Sequence, residues 1–200
     1  GLCLFSQTET DEKAFIDFHD GVGFISPDST FGMNVRFRMQ NRAGYLYNEE
    51  TDEHIFETTV KRTRLRFDGF ISNPRLTYYL QLSFARGDLA IDQNYVHNIV
   101  RDAMIYYRFN PKFYIGFGQG KLPGNRQRVT SSGAQQFAER SIVNARFNID
   151  RDFGLFCYYS DNIGFLHYNI KTAVSTGEGR NVTSVDENMA YTARLELLPL

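Results

Sequence analysis

The sequence predicts an all-β protein, a transmembrane antiparallel β-barrel. Apolar and polar residues alternate with a period of two over segments of roughly ten residues, the length of a tilted membrane-spanning strand. Short and long connections alternate between these segments, as they do in outer-membrane barrels. No segment approaches the roughly 18 apolar residues that a membrane-spanning helix needs.

The N-terminal residues predict export. The stretch GLCLFSQ is apolar up to Ser6, which is typical of the end of a secretory signal peptide cleaved between Ser6 and Gln7. We therefore expect residues 1–6 to be a signal-peptide remnant and residues 7–20 to be a flexible periplasmic N-terminus. Removal of Cys3 would leave Cys157 as the single cysteine.

The alternation is clearest in VKRTRLRFDGFI, residues 60–71. One face carries Arg62, Arg64, Arg66 and Asp68, whereas the other carries Thr63, Leu65, Phe67 and Ile71. The same pattern predicts eight strands, at 31–47, 60–71, 76–85, 101–110, 112–120, 151–161, 163–174 and 188–199.

The connections are the next prediction. Short turns are expected at 72–75, 110–112 and 161–162. Longer polar segments are expected at 48–58, 86–98, 120–150 and 175–187. Because the first strand leads into a long segment, the N-terminus is expected on the periplasmic side.

A lipocalin-like barrel or a β-sandwich would also alternate, but with its apolar residues facing inward. That alternative predicts that Leu65, Phe67, Leu80 and Phe84 point into a core. Strands longer than the five or six residues usual in soluble sheets favour the membrane barrel. Frequent tyrosines near strand ends, as in an aromatic girdle, favour it too.

Charge composition restricts the function. The net charge is −1, so there is no general electrostatic reason to expect a nucleic-acid partner. The chain has 17 Arg against 5 Lys, and Arg offers a planar fork for oxyanions. No metal-ligand spacing, cofactor motif or catalytic motif stands out, so we expect no cofactor, no metal and no enzyme activity.

Residues 118–154 resemble the phosphate-selective porin O/P family of Gram-negative outer membranes, especially its Bacteroidota branch. The segments that carry the resemblance are GQGKLP at 118–123, Ser131-Ser132, FAERS at 137–141 and RDFG at 151–154. The resemblance implies localisation in the bacterial outer membrane and a 16-stranded barrel. It also implies a homotrimer or association with other outer-membrane proteins, and a loop that folds inward and narrows the pore.

Placed against that family, residues 21–200 would be the N-terminal part of the barrel and 120–150 the constriction loop. Eight strands are half of sixteen, so either the chain is incomplete or it closes as an eight-stranded barrel. Side chains fill the interior of an eight-stranded barrel, which would not conduct freely, and an open half-sheet would leave edges in lipid, which is prohibitive. We therefore favour an incomplete chain. Within the loop, 132–147 has helix-like apolar spacing at Phe137, Ala138 and Ile142, with Ser131 or Ser132 as N-cap.

The predicted function is passive passage of small anions such as phosphate through a pore surrounded by outer-membrane lipid. The predicted anion pathway consists of Arg36, Arg38, Arg42, Arg62, Arg64 and Arg66. The predicted constriction-loop cations are Lys121, Arg126, Arg128, Arg140 and Arg146. In the alternative, these arginines pair with Asp68, Asp102, Asp152 and Glu196 and brace the wall of a structural or accessory subunit of a larger complex.

Overall fold

The computed structural model describes residues 15–17, 21–85, 90–91, 97–135, 140–147, 149–182 and 186–199. The predicted signal-peptide remnant lies outside this part of the chain, as does most of the predicted flexible N-terminus. Within that N-terminus, Phe15–Asp17 form a short strand. None of the described helices is long and apolar enough to cross a membrane.

The described elements are mostly strands. The first seven are β1 (Phe15–Asp17), β2 (Val22–Ile25), β3 (Phe31–Asn48), β4 (Glu53–Ile71), β5 (Asn73–Ser83), β6 (Ala90–Ile91) and β7 (His97–Asn98). Then come β8 (Val100–Arg108), β9 (Phe113–Lys121), α1 (Arg126–Val129), α2 (Ile142–Arg146), β10 (Arg151–Ile163), β11 (Leu166–Ser175) and β12 (Ala190–Pro199).

Ten strands form one antiparallel sheet, in the order β1-β2-β3-β4-β5-β8-β9-β10-β11-β12, and β6 pairs with β7. The all-β antiparallel prediction is therefore confirmed, and all eight predicted strands are present. Asn110 fixes one of the short turns, because its side chain accepts hydrogen bonds from the backbone N–H groups of Lys112 and Phe113, both at 2.9 Å.

The long connection expected at 48–58 is wrong. Strand β4 begins at Glu53, so only residues 49–52 connect it to β3. Tyr45 stands opposite Phe56 and Tyr47 opposite His54, and such cross-strand aromatic pairs stabilise an extended hairpin. The alternation was hidden because the register shifts at Gln40/Asn41, which reverses the parity of the β4 residues beyond it.

Two further boundaries differ from the prediction. The β10–β11 turn lies at 164–165 rather than 161–162, since Gly164 supplies the positive φ (59°) that the turn needs. The helix expected over 132–147 is instead α2, with Ser141 as its N-cap. The N-cap expected at Ser131 or Ser132 is thus wrong, and Phe137 and Ala138 lie outside the described residues.

The sheet exposes its apolar face and buries its polar face, which is the reverse of the arrangement in a soluble protein. Large apolar side chains are exposed on one face, for example Phe37 (65%) and Phe117 (56%). Polar and charged side chains are buried on the other, for example Arg62 (7%) and Asp102 (3%). The soluble alternative is contradicted, because Leu65 stands directly opposite the exposed Phe37.

A small apolar core lies on the polar face, under the start of the segment that follows β9. It consists of Met104, Leu122, Phe156 and Ala173. Leu122 comes from that segment and the other three from β8, β10 and β11. This contact fixes the segment, from 122 onward, against the inside of the sheet.

Candidate anion site

Two rows of arginines face each other on β3 and β4. Arg36 stands directly opposite Arg66, and Arg38 directly opposite Arg64. Like charges in directly opposed positions destabilise a sheet. The four guanidinium groups therefore require negative charge or hydrogen-bond acceptors close by.

These rows form one wall of a cavity of about 230 Å³, which we call the arginine cavity. It is lined by Arg36, Arg38, Arg64, Arg66, Tyr79, Gln81, Lys121, Val129, Ser131, Ser132 and Arg151. Among the described residues, every charged side chain in this lining is cationic. The fold thus brings six cations from four strands around one space.

The connection between β9 and β10, of which residues 122–135, 140–147 and 149–150 are described, closes the cavity through Ser132, and we call it the covering segment. Its hydroxyl oxygen accepts a hydrogen bond from Arg38 (2.6 Å) and another from Arg64 (2.8 Å). At the next residue, a Cβ on Gly133 would lie 2.3 Å from a terminal nitrogen of Arg38. The absence of a side chain at 133 therefore lets the segment approach the arginines closely.

Carboxylates hold part of the cluster in place. Asp68 forms ion pairs with Arg36 (3.2 Å) and Arg66 (2.7 Å), and the Arg66 guanidinium also lies 4.6 Å from the centre of the Tyr79 ring. On the far wall, Asp102 accepts two hydrogen bonds from Arg151, at 2.8 and 3.1 Å. Both of these carboxylates come from strands rather than from the covering segment.

Arg151 is a lining residue that the sequence analysis did not select. By parity it falls on the face of Phe153 and Leu155, which was assigned as apolar. It stands opposite Lys121, and both long side chains reach the cavity. Its position directly before Asp152 in the RDFG motif was the available signal.

Positive charge is crowded on the covering segment too. Burial, together with the nearby positive charges of Arg128, Arg62 and Arg64, lowers the pKa of Arg140 to about 10. Arg140 donates hydrogen bonds to the carbonyl oxygens of Gln127 (3.0 Å) and Thr130 (3.2 Å). It therefore braces the segment while adding to the local positive potential.

The structure separates the predicted cations into groups. Arg36, Arg38, Arg64, Arg66 and Lys121 line the arginine cavity, and buried Arg62 next to them donates to Gln40 at 2.6 Å. Arg42 pairs with Glu57 on the extended hairpin, and Arg128 pairs with Asp150. Arg126 and Arg146 are exposed and lie away from the cavity.

Of the four acids expected to pair with arginines, Asp68 and Asp102 do so at the cavity, and Glu196 pairs with Arg194 (2.8 Å) and Lys171 (2.9 Å). Asp152 instead accepts hydrogen bonds from Thr176, Gly177 and Gly179, which fixes the connection after β11. No group of three or more potential metal ligands occurs among the residues that the structure describes.

A comparison with protein-family models shows which family the chain belongs to. Residues 33–200 match the family described as phosphate-selective porin O and P. The chain belongs to this family. It is a family of Gram-negative outer-membrane channels rather than of enzymes. A search of curated protein sequences finds no significant match.

Proposed function

We propose that this porin O/P chain passes small anions, phosphate among them, by passive diffusion along its polar face. The observation that carries the proposal is the convergence of six cationic side chains on one cavity of about 230 Å³. At roughly 30 Å³ per water molecule, that volume accommodates a tetrahedral oxyanion with several waters. Rings of Arg and Lys select anions in narrow pores by replacing part of the hydration shell.

The rows of arginines on β3 and β4 continue beyond the cavity and give an anion successive binding sites. Residues two apart on one strand are about 6.8 Å apart, and neighbouring strands about 4.8 Å. An oxyanion can thus exchange one guanidinium for the next without full release. We include Arg62 and Arg42 in this pathway as the steps that lead from the cavity toward the extended hairpin.

We further propose that segment 120–150 is the constriction of the pore. Its contacts support this role, since Leu122 packs in the core on the polar face and Ser132 bonds to arginines of β3 and β4. At the other edge of the sheet, Arg194 of β12 donates to the carbonyl oxygen of Gly124. The segment is thus anchored from both sides of the polar face.

The second candidate function is a structural or accessory barrel subunit of a larger outer-membrane complex. The ion pairs of Asp68 with Arg36 and Arg66, and of Asp102 with Arg151, are the observation that favours it. In that case the arginines brace the wall. Association with other outer-membrane proteins, or a homotrimer, remains a prediction under either function.

The deciding experiment is the reversal potential of single channels in planar lipid bilayers under a salt gradient. The variant Arg38→Gln/Arg64→Gln removes both cations that bond to Ser132 while keeping hydrogen-bonding capacity. Each charge contributes on the order of 1 kcal/mol to a nearby anion even at the dielectric constant of water. We therefore expect the anion-to-cation permeability ratio to fall about tenfold after screening by salt.

The matched control is Arg75→Gln, an exposed arginine of β5 outside both the cavity and segment 120–150, which should leave the ratio unchanged. An anion-selective native channel whose selectivity survives the double substitution would assign the arginines to bracing. A native protein that inserts but carries no current would favour the accessory subunit.

A further inference from the structure

A patch of tyrosines lies on the polar face, between the arginine cavity and the short turn at 109–112. It consists of Tyr79, Tyr106, Tyr114 and Tyr158, contributed by the four adjacent strands β5, β8, β9 and β10. Register shows that all four share the face of the arginines, since Tyr79 stands opposite Asp68, Tyr106 opposite Thr77, and Tyr158 opposite Tyr114. We call it the tyrosine patch.

Three of the four rings form a continuous aromatic surface, and Tyr79 packs against the same small apolar core as Tyr106 and Tyr158. Tyr114 and Tyr158 stack with centroids 4.5 Å apart and planes 11° apart. Tyr106 contacts both, at 6.1 Å from Tyr114 and 6.3 Å from Tyr158. Each ring is half-buried, so part of the surface remains open to the lumen side.

Gly116 on β9 leaves room for the Tyr106 ring to lie against the strand, inclined by 68° to the Tyr114 ring and by 58° to the Tyr158 ring. A Cβ at Gly116 would lie 2.7 Å from the Tyr106 ring, closer than carbon atoms approach without a shift. The ring therefore lies down on the backbone of β9 instead of standing up from the sheet. The patch thus offers rings at two inclinations, and aromatic groups pair with such rings both by offset stacking and edge to face.

Cations border the patch at both ends. Arg66, a lining residue of the arginine cavity, lies over Tyr79 at 4.6 Å, and Arg108 lies over Tyr114 at 5.3 Å. Inorganic phosphate has no group that uses an aromatic face. An anion that carries its own ring would place its charge on an arginine and its ring on the tyrosines.

Packing alone does not account for this arrangement. Tyr79, Tyr106 and Tyr158 contact the small apolar core, and a supporting role explains them there. Tyr114 is not part of that contact group, yet it continues the aromatic surface away from the core toward Arg108. Aromatic stacking that extends beyond the core to a second cation indicates a binding surface.

We propose that the tyrosine patch makes this pore prefer organic anions with an aromatic ring, such as aryl phosphate monoesters, over inorganic phosphate. This inference rests on the proposed anion pathway, which supplies the charge recognition. Binding is by stacking and ion pairing, without a covalent step. The aromatic group adds affinity to an anion that the arginine cavity attracts in either case.

The test measures half-blocking concentrations of chloride current in planar bilayers for inorganic phosphate, methyl phosphate and phenyl phosphate. In the native channel, phenyl phosphate should block at about tenfold lower concentration than methyl phosphate, in line with aromatic stacking affinities. Tyr106→Leu should reduce this preference to about threefold or less, because it removes the central ring. Tyr106→Phe should retain it, since the ring face is kept.

The matched control is Tyr107→Leu, one residue along the same strand, on the opposite face and 40% exposed. It should leave the preference unchanged. If inorganic phosphate blocks the native channel but methyl and phenyl phosphate block it equally well, the tyrosine patch is not a binding surface. The proposed anion pathway would be unaffected by that result. No block by any of the three anions would instead overturn the anion pathway itself.

Discussion

The two faces of strands β8–β10 differ in what they bury. On one face, Phe117 and Phe153 pack edge to face at 5.2 Å and remain 56% and 45% exposed. On the other, Asp102 and Arg151 form a bidentate pair whose side chains are only 4% and 2% exposed. An apolar face that stays open and a charged face that closes are the arrangement of a wall between lipid and a polar lumen.

The largest expected effect comes from breaking the buried charged face. Asp102→Asn would leave the pairing with Asp150 at 2.8 Å as the one ion pair of Arg151 among the described residues. Removing one partner of a buried pair costs about 3 kcal/mol of unfolding free energy. Urea titration of the refolded protein in lipid vesicles, followed by its gel mobility, measures this loss.

The control for that loss is Asp161→Asn. Asp161 pairs with Lys112 at 2.8 Å, but the Lys112 side chain is 57% exposed, so we expect little or no change. Equal effects of the two substitutions would mean that burial does not distinguish the pairs.

The second prediction breaks the apolar face. Phe117→Arg should cost about 2 kcal/mol of unfolding free energy in vesicles, since a cation would then face hydrocarbon. Phe117→Leu is the matched control, because it also loses the ring contact with Phe153 but adds no charge. If Arg and Leu at this position cost the same in lipid, the exposed face does not contact the membrane.

The smallest expected effect is on the pH dependence of anion selectivity. It arises from Asp150, whose ion pair with Arg128 anchors the covering segment. Burial opposes ionisation of Asp150, but the neighbouring Arg151 and Arg128 outweigh it and hold the pKa of its carboxyl below the usual 3.8. Because the folded-state pKa is lowered, this stabilisation is fully present well above pH 3.8. It is lost as the pH falls through the folded-state value.

Anion selectivity at pH 5 should therefore equal that at pH 7. Only in stronger acid should protonation of Asp150 weaken its ion pairs and loosen the covering segment. Reversal potentials at pH 7 and 5, and then in steps below pH 3.8, measure this. Asp150→Asn at pH 7 should reproduce the behaviour that the native channel reaches only below the folded-state pKa of Asp150. A change between pH 7 and 5 in the native channel that Asp150→Asn abolishes would contradict the assigned window.

Much of the sheet could be predicted because strand patterning is local. The alternation in 60–71 identified β4 and placed Arg62, Arg64 and Arg66 on one face, since side chains alternate with period two regardless of context. The same rule failed at 53–59, where a one-residue register shift reversed the parity. It also failed for Arg151, whose parity assigned it to the apolar face.

The sequence by itself determined eight of the twelve described strands, their two faces and the family. Only the tertiary structure decided which cations meet. Arg64 and Ser132 are 68 residues apart in sequence, and Arg151 and Asp102 are 49 apart. Such contacts depend on how strands are ordered and how the covering segment lies on them, which no local period encodes. The tyrosine patch likewise exists only because four separate strands align their rings in register.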